Sequence, residues 1–151
     1  MAEEIVIKID EILRILPHKF PFLLVDRVII VDEKRARGIK NVTINEDCFN
    51  GHFPGKPVMP GVLMIEAMAQ TGGVLMLRRP ELKNKDVLFV AINNVKFRKM
   101  VIPGDQLIME IELTRWGGKI AVMKTNASVD GEIAVEAEMT CAIIDKPAVN
   151  P

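Results

Sequence analysis

GHFPGKPVMPGVLMIEAMAQ, from Gly51 to Gln70, joins a loop stiffened by Pro54, Pro57 and Pro60 to a run in which, as far as Leu77, only Glu66, Gln70 and Thr71 are neither apolar nor small. Proline suits the first position of a helix, where its missing N–H needs no acceptor, so the pattern predicts a helix from Pro60 to Leu77. A surface helix carries a broad charged side. This one is apolar around its circumference, yet too short and too interrupted to span a bilayer, so it belongs inside a core and requires a cover. Glu66 and Gln70 stand four residues apart and share a face, which sets one ionisable carboxyl among Val62, Leu63, Met64, Ile65, Ala67 and Met68.

The remaining composition is that of one compact core. With 151 residues, 49% of them hydrophobic and 5% aromatic, the chain suits a single domain over residues 1–151. Twenty basic and twenty acidic side chains cancel, which leaves no global field of the kind that draws nucleic acid. MAEEIVIKIDE at the amino end lacks the cationic start and apolar run of a secretory leader, and the longest charge-free run, Ala67 to Leu77, falls short of a membrane span. The expectation is a soluble cytoplasmic protein with neither a membrane nor a nucleic-acid partner. Cys48 and Cys141 have no metal-ligand spacing and are too few for a disulfide framework, so both read as free thiols.

Outward from the central helix the pattern is mostly strand. Lys8 to Leu16 places Ile9, Ile12, Leu13 and Leu16 at helical spacing before Pro17, a first helix expected to pack on the rim. Leu23 to Val31 reads as a strand, and Asp32-Glu33-Lys34 as the turn into a second one, Arg35 to Ile44. That second strand sets Arg35, Arg37, Asn41 and Thr43 against Ala36, Gly38, Val42 and Ile44, with Ile39 and Lys40 out of phase. After the closing Arg78-Arg79-Pro80 come four strand candidates: Asp86 to Arg98, Gln106 to Arg115, Lys119 to Val129 and Glu132 to Ile144, with turns at Gly117-Gly118 and Asp130-Gly131. Leu107, Met109, Ile111 and Leu113 should point inward from one of them, and Ile133, Val135, Ala137, Met139, Cys141 and Ile143 from the last. The tail from Lys146 is expected to lie loose. The architecture is therefore α+β: a long antiparallel sheet curled around a buried helix, with a second subunit completing the cover.

Three features of the opening stretch carry chemistry. Burial of Glu66 should favour its neutral form and so make a general acid, unless an Arg or Lys from elsewhere pairs with it. His52, fourteen residues earlier in the stiff loop, is one of two histidines and is either a base or a ring held by backbone partners in a tight turn. The amides of Gly61 and Val62, at the positive end of the helix, lack intrahelical acceptors and could hold a carbonyl oxygen as charge develops on it. A base, an acid and an oxyanion donor suit proton removal beside a carbonyl with loss of a β-hydroxyl, that is, dehydration of a 3-hydroxyacyl thioester.

HFPGKPVMPGVLMIEAMAQ closely resembles the hallmark segment of the FabZ family, the 3-hydroxyacyl-[acyl-carrier-protein] dehydratases of bacterial type II fatty acid synthesis. The resemblance extends to ILPHKFPFLLVDRV at Ile15 to Val28, KNVTINE at Lys40 to Glu46 and VIPGDQL at Val101 to Leu107. It implies a hot-dog fold, dimers that commonly group as a trimer of dimers, acyl carrier protein as partner, and neither a metal nor an organic cofactor. It also implies that His52 is the catalytic base and Glu66 its acidic partner from the opposite subunit, with the Gly61 amide polarising the thioester. Met64, Met68, Phe97 and Met100 are the corresponding candidates for the substrate tunnel.

Departures from the family pattern are few. Met100 stands where proline is common, Asn93-Asn94 where an acidic residue is frequent, and no tyrosine is present, so no step here can depend on a tyrosine hydroxyl. Lys96, Arg98 and Lys99 form a basic cluster, with Lys96 and Arg98 expected on one strand face. It is either a docking patch for the acidic carrier protein or an edge charged against aggregation. His18, Phe20 and Phe22 are assigned to structure and to the rim. The sister enzyme that also isomerises the double bond usually pairs histidine with Asp and carries Cys after the glycine, whereas Glu66 and Val62 here favour dehydration alone. A hot-dog thioesterase and an acyl-thioester sensor are the other readings; the proline-rich histidine loop argues against the first, and no helix-turn-helix pattern supports the second.

Overall fold

The protein is described from a computed structural model, over residues 3–147. In chain order it runs β1 (Ile5–Ile7), α1 (Ile9–Ile15), β2 (Arg27–Ile30), β3 (Arg35–Asn41), α2 (Cys48–Gly51) and α3 (Gly61–Leu77). A 3-10 turn at Pro80–Leu82 then leads into β4 (Lys85–Phe97), β5 (Gln106–Gly117), β6 (Ile120–Val129) and β7 (Glu132–Asp145). The strands form one seven-stranded sheet in the order β1-β2-β3-β5-β6-β7-β4. Every neighbouring pair is antiparallel.

The sheet curls around α3, which touches β2, β3, β4, β5, β6 and β7. From Met64 onward only Glu66 and Ala69 of this helix are not buried. Leu107, Met109, Ile111 and Leu113 point inward from β5, as the alternation predicts; Met123 on β6 meets the helix at Gly72, and Met139 on β7 is, like it, completely buried. Full burial of such side chains stabilises by about 1.5–3 kcal/mol apiece, so this layer dominates the fold. Two glycines set the helix-to-sheet spacing: a Cβ at Gly38 would lie 2.3 Å from Thr71 Oγ1, and one at Gly72 would lie 2.4 Å from Met123 Sδ. Thr71 is itself held, its hydroxyl donating to the Ala67 carbonyl at 3.0 Å, which satisfies a polar atom inside the core.

Several boundaries differ from the sequence reading. Pro60 precedes α3 as its N-cap (φ −55°, ψ 132°) instead of occupying the first helical position. Only Arg27–Ile30 of the segment from Leu23 to Val31 is strand, because Leu24 is tied to α3 through the Gln70 side chain and not to a sheet neighbour. β3 ends at Asn41, and Lys40 is in phase after all: it is buried with Ala36 and Gly38, its ammonium 2.5 Å from the Glu46 carboxylate. On β7 the inward set begins at Val135. A bulge leaves Ala134 without a partner opposite β6, which turns Ile133 out to 37% exposure and buries Ala134 instead. β1, α2 and the 3-10 turn are too short to show a periodicity and were not anticipated. The expectation for the tail concerns mainly residues 148–151, which lie outside the described residues.

β4 is the edge of the sheet opposite β1, and it is not covered. Leu88, Val90, Ile92 and Phe97 are between 39% and 57% exposed. Val62 at the start of α3 (71%) and Met100 just beyond the strand (61%) extend this apolar surface. An edge of this length and character is a ready template for pairing with another chain.

Candidate active site

The loop that carries His52 is built from short-range hydrogen bonds. α2 ends on His52, whose N–H donates to the Cys48 carbonyl at 3.0 Å; Phe53 and Lys56 exchange N–H to carbonyl bonds of 3.1 and 2.9 Å, and the Val58 N–H donates to the His52 carbonyl at 3.1 Å. Gly55 supplies the left-handed residue of this turn (φ +75°). The Met59 N–H then donates to the Val101 carbonyl at 2.7 Å, docking the loop on the segment after β4. The imidazole is fixed by the same loop, with Nδ1 2.6 Å from the Val58 carbonyl oxygen. A carbonyl only accepts, so Nδ1 carries the ring proton and Nε2 is left with the lone pair of a base. Of the two sequence alternatives, the structure shows the ring held by a backbone partner in a tight turn, and it leaves Nε2 without a proton in the neutral ring.

His52 opens into a cavity of about 530 Å³ whose walls include Gly61, Val62, Met64, Phe97 and Met100. The Pro60 carbonyl accepts from the N–H groups of Leu63 and Met64, so the first amides without an intrahelical acceptor are those of Gly61 and Val62, at the wall of the His52 cavity. A Cβ on residue 61 would lie 2.5 Å from the Phe97 ring, so glycine is what lets that ring close over the helix start. Three of the four tunnel candidates line this space. Met68 does not: it is completely buried in the core and turned toward the sheet side of α3.

Glu66 faces a different cavity, of about 140 Å³, that it shares with His18, Gln70 and Cys141 and with an apolar floor of Leu16, Leu77 and Val87. Its side chain is 18% exposed. The wall expected from its sequence neighbours is only partly there, since Val62 is out in solvent. No Arg or Lys pairs with the carboxylate among the described residues. Oε1 instead receives the Gln70 amide at 3.1 Å and has His18 Nε2 at 3.4 Å. Gln70, itself buried, also donates to the Phe22 carbonyl at 2.8 Å and accepts from the Leu24 N–H at 2.7 Å, so one amide pins the segment after Pro17 to α3 and aims the carboxyl. His18 was read as structural. Its place beside Glu66 is a long-range contact with no signature in local spacing.

The two cavities have no lining residue in common, so in the single chain His52 and Glu66 open into separate spaces. Both cavities border the exposed β4 edge: Leu88 and Phe89 belong to one, Phe97 and the following loop to the other.

The basic cluster is at the mouth of the His52 cavity, which Arg98 and Lys99 help to line. β4 ends at Phe97, one residue short of Arg98, yet both cations reach Glu136 of β7: Lys96 stands opposite it in register and Arg98 pairs with it. Arg98 is paired with Glu136 at 3.0 Å and Lys99 with Glu132 at 3.3 Å; the Arg98 hydrogen bond holds the Glu136 carboxyl below its ordinary range. Cys48 and Cys141 are free thiols. Burial, reinforced by Glu66, pushes the Cys141 thiol from 9.0 up to about 11. The folded chain therefore holds that proton more tightly than the unfolded chain, and the associated stability is complete below pH 9.0 and lost as pH rises through about 11. Alkylation at about pH 8 is expected to spare Cys141 until the protein is unfolded, as mass spectrometry of the labelled chain would read.

Comparison with known proteins places the chain in a family. The FabA-like domain model matches residues 16–138. A 3-hydroxyacyl-[acyl-carrier-protein] dehydratase FabZ of Bacillus pumilus is 57% identical over 135 residues, 89% of this chain and 94% of its own. The chain belongs to the FabZ dehydratase family. It is thus a hydro-lyase on a hot-dog fold. The FabZ of Caldicellulosiruptor bescii is likewise 57% identical, over 136 residues that make up 89% of this chain and 97% of that one. Among solved structures, the dehydratase heterocomplex ApeI:P of Xenorhabdus doucetiae superposes with a TM-score of 0.74 at 23% identity, covering 89% of this chain and 91% of that one. A mutant thioesterase PA1618 of Pseudomonas aeruginosa reaches 0.61 at 14% identity, over 80% and 81% of the two chains. These last two likenesses concern the fold alone. No helix among the described residues of this FabZ-family chain is long and apolar enough to cross a membrane.

Proposed function

We propose that this protein dehydrates (3R)-3-hydroxyacyl chains carried on acyl carrier protein to the trans-2-enoyl form, in sites assembled between two copies of the chain. His52 Nε2 takes a proton from C2, and the electron pair left behind forms the C2–C3 double bond as the C3–O bond breaks. Glu66 of the second copy gives its proton to the departing hydroxyl, which leaves as water. The thioester oxygen, negative in the transition state, is held by the Gly61 amide at the helix start. Proton return from His52 to Glu66 through water resets the pair, and no metal or organic cofactor enters the balance. Arg98 and Lys99 at the cavity mouth, with Lys96 nearby, are the surface offered to the acidic carrier protein, in keeping with steering by complementary charge.

The observation that carries this reading is the division of one reaction's groups between two separate cavities, both beside an apolar strand edge that is open in the single chain. A second copy laid against β4 would bring the base of one chain to the acid of the other, and further grouping of dimers would follow the family's habit. Mixing inactive His52→Ala and Glu66→Gln subunits after dissociation tests it. Each mixed dimer would regain one intact site, so random reassembly is expected to restore roughly a quarter of the wild-type rate per subunit. No recovery from a mixture shown to have exchanged subunits would mean that the pair does not work across chains.

A further inference from the structure

We propose that His18 is a positioning residue for the reaction, selecting which oxygen of Glu66 carries the transferable proton. The inference rests on the assignment of Glu66 as acid partner. It starts from an asymmetry at that carboxyl: both protein contacts fall on Oε1, the Gln70 amide at 3.1 Å and His18 Nε2 at 3.4 Å. Oε2 has no hydrogen-bond partner among the described residues and is not among the buried orphaned atoms, so it is the oxygen open to solvent and substrate.

The proton positions at these contacts follow from the surroundings. Gln70 cannot turn its amide over, because its oxygen accepts from the Leu24 N–H at 2.7 Å and its nitrogen donates to the Phe22 carbonyl at 2.8 Å; a hydrogen must therefore point at Oε1. His18 Nδ1 is buried with no hydrogen-bond partner among the described residues. A bare lone pair is tolerated there better than an unpaired N–H, which puts the ring proton on Nε2, facing Oε1. Two donors then converge on one oxygen. A proton on Oε1 would point at hydrogens, so the acid proton belongs on Oε2, and the charge left after transfer is stabilised on Oε1 by both donors. The only other titratable side chain at this wall, the Cys141 thiol on β7, holds its proton and adds no charge. At 3.4 Å the His18 contact is about 0.4 Å longer than a full hydrogen bond and has room to tighten as charge builds on Glu66.

The test compares three substitutions at one position, with dehydration of a 3-hydroxybutyryl thioester as the assay. His18→Leu keeps the bulk and removes the donor; kcat is expected to fall about 10- to 100-fold with KM within about threefold of wild type. His18→Gln, whose amide nitrogen reaches where Nε2 stands, should recover to within about fivefold, whereas the shorter His18→Asn should stay as low as Leu. Full activity of His18→Leu, or equal loss in Gln and Asn, would overturn the proposal. If the Leu variant melts below the assay temperature, the comparison of Gln with Asn still decides. Glu66→Gln in the same assay separates the two claims: retained activity there defeats the acid assignment itself, while an inactive Glu66→Gln beside a fully active His18→Leu defeats only the role of His18.

Discussion

Replacement of His52 by alanine is expected to lower kcat for a 3-hydroxyacyl thioester by about a hundred- to ten-thousand-fold, the range typical of a lost general base. The ring's one hydrogen bond to protein is the 2.6 Å contact between Nδ1 and the Val58 carbonyl, and Nε2, which would take the C2 proton, is the atom left free. Deleting the ring removes the base with little else: the loop is still closed by the Phe53–Lys56 pair and by the Met59 N–H on Val101. The melting temperature should therefore move by only the few degrees that one hydrogen bond of about 1 kcal/mol allows. A variant that folds and turns over within about fivefold of wild type would remove His52 from the chemistry.

Glu66→Gln should match that loss in kcat while leaving the fold equally intact. The amide has the shape of the carboxyl, and its oxygen can still accept from Gln70 at the place Oε1 occupies, but it cannot surrender a proton to a leaving hydroxyl. The loss is expected to be about a hundred-fold or more in kcat, with KM little changed because the interaction belongs to the transition state. A measured deficit confined to KM would assign Glu66 to binding instead.

How far this was legible in the sequence depends on the range of each interaction. α3 was readable because its signal is internal: an apolar circumference broken only at Glu66, Gln70 and Thr71 forces burial whatever covers it. The hydrogen bond from Gln70 to Glu66 follows from four-residue spacing, and the inward set of β5 from simple alternation. What failed depended on contacts that local periodicity does not encode. Lys40 looked out of phase because a buried lysine is unfavourable until Glu46 neutralises it. Leu23 to Asp26 looked like strand from its apolar content, yet the Leu24 N–H in its middle donates to a side chain 46 residues away. Met68 was a candidate for the tunnel wall, but it is completely buried in the core and does not line the His52 cavity. His18 was visible as a residue, but its neighbour Glu66 is 48 positions further on.

The unpaired Ala134 in β7 has a bearing on which sequence changes the last strand can survive. The turn at Asp130 and Gly131 fixes one end of the strand, and the thiol-bearing wall beside Glu66 fixes the other; counted residue by residue, the two ends are out of step by one. The surplus alanine absorbs that half-period. Point changes along β7 alter single contacts, and loss of one residue before Val135 is taken up by the bulge, but loss of one residue beyond it would turn the inward residues that follow, Met139, Cys141 and Ile143 among them, out of the core. Length, more than composition, is the property of this strand that drift can least disturb.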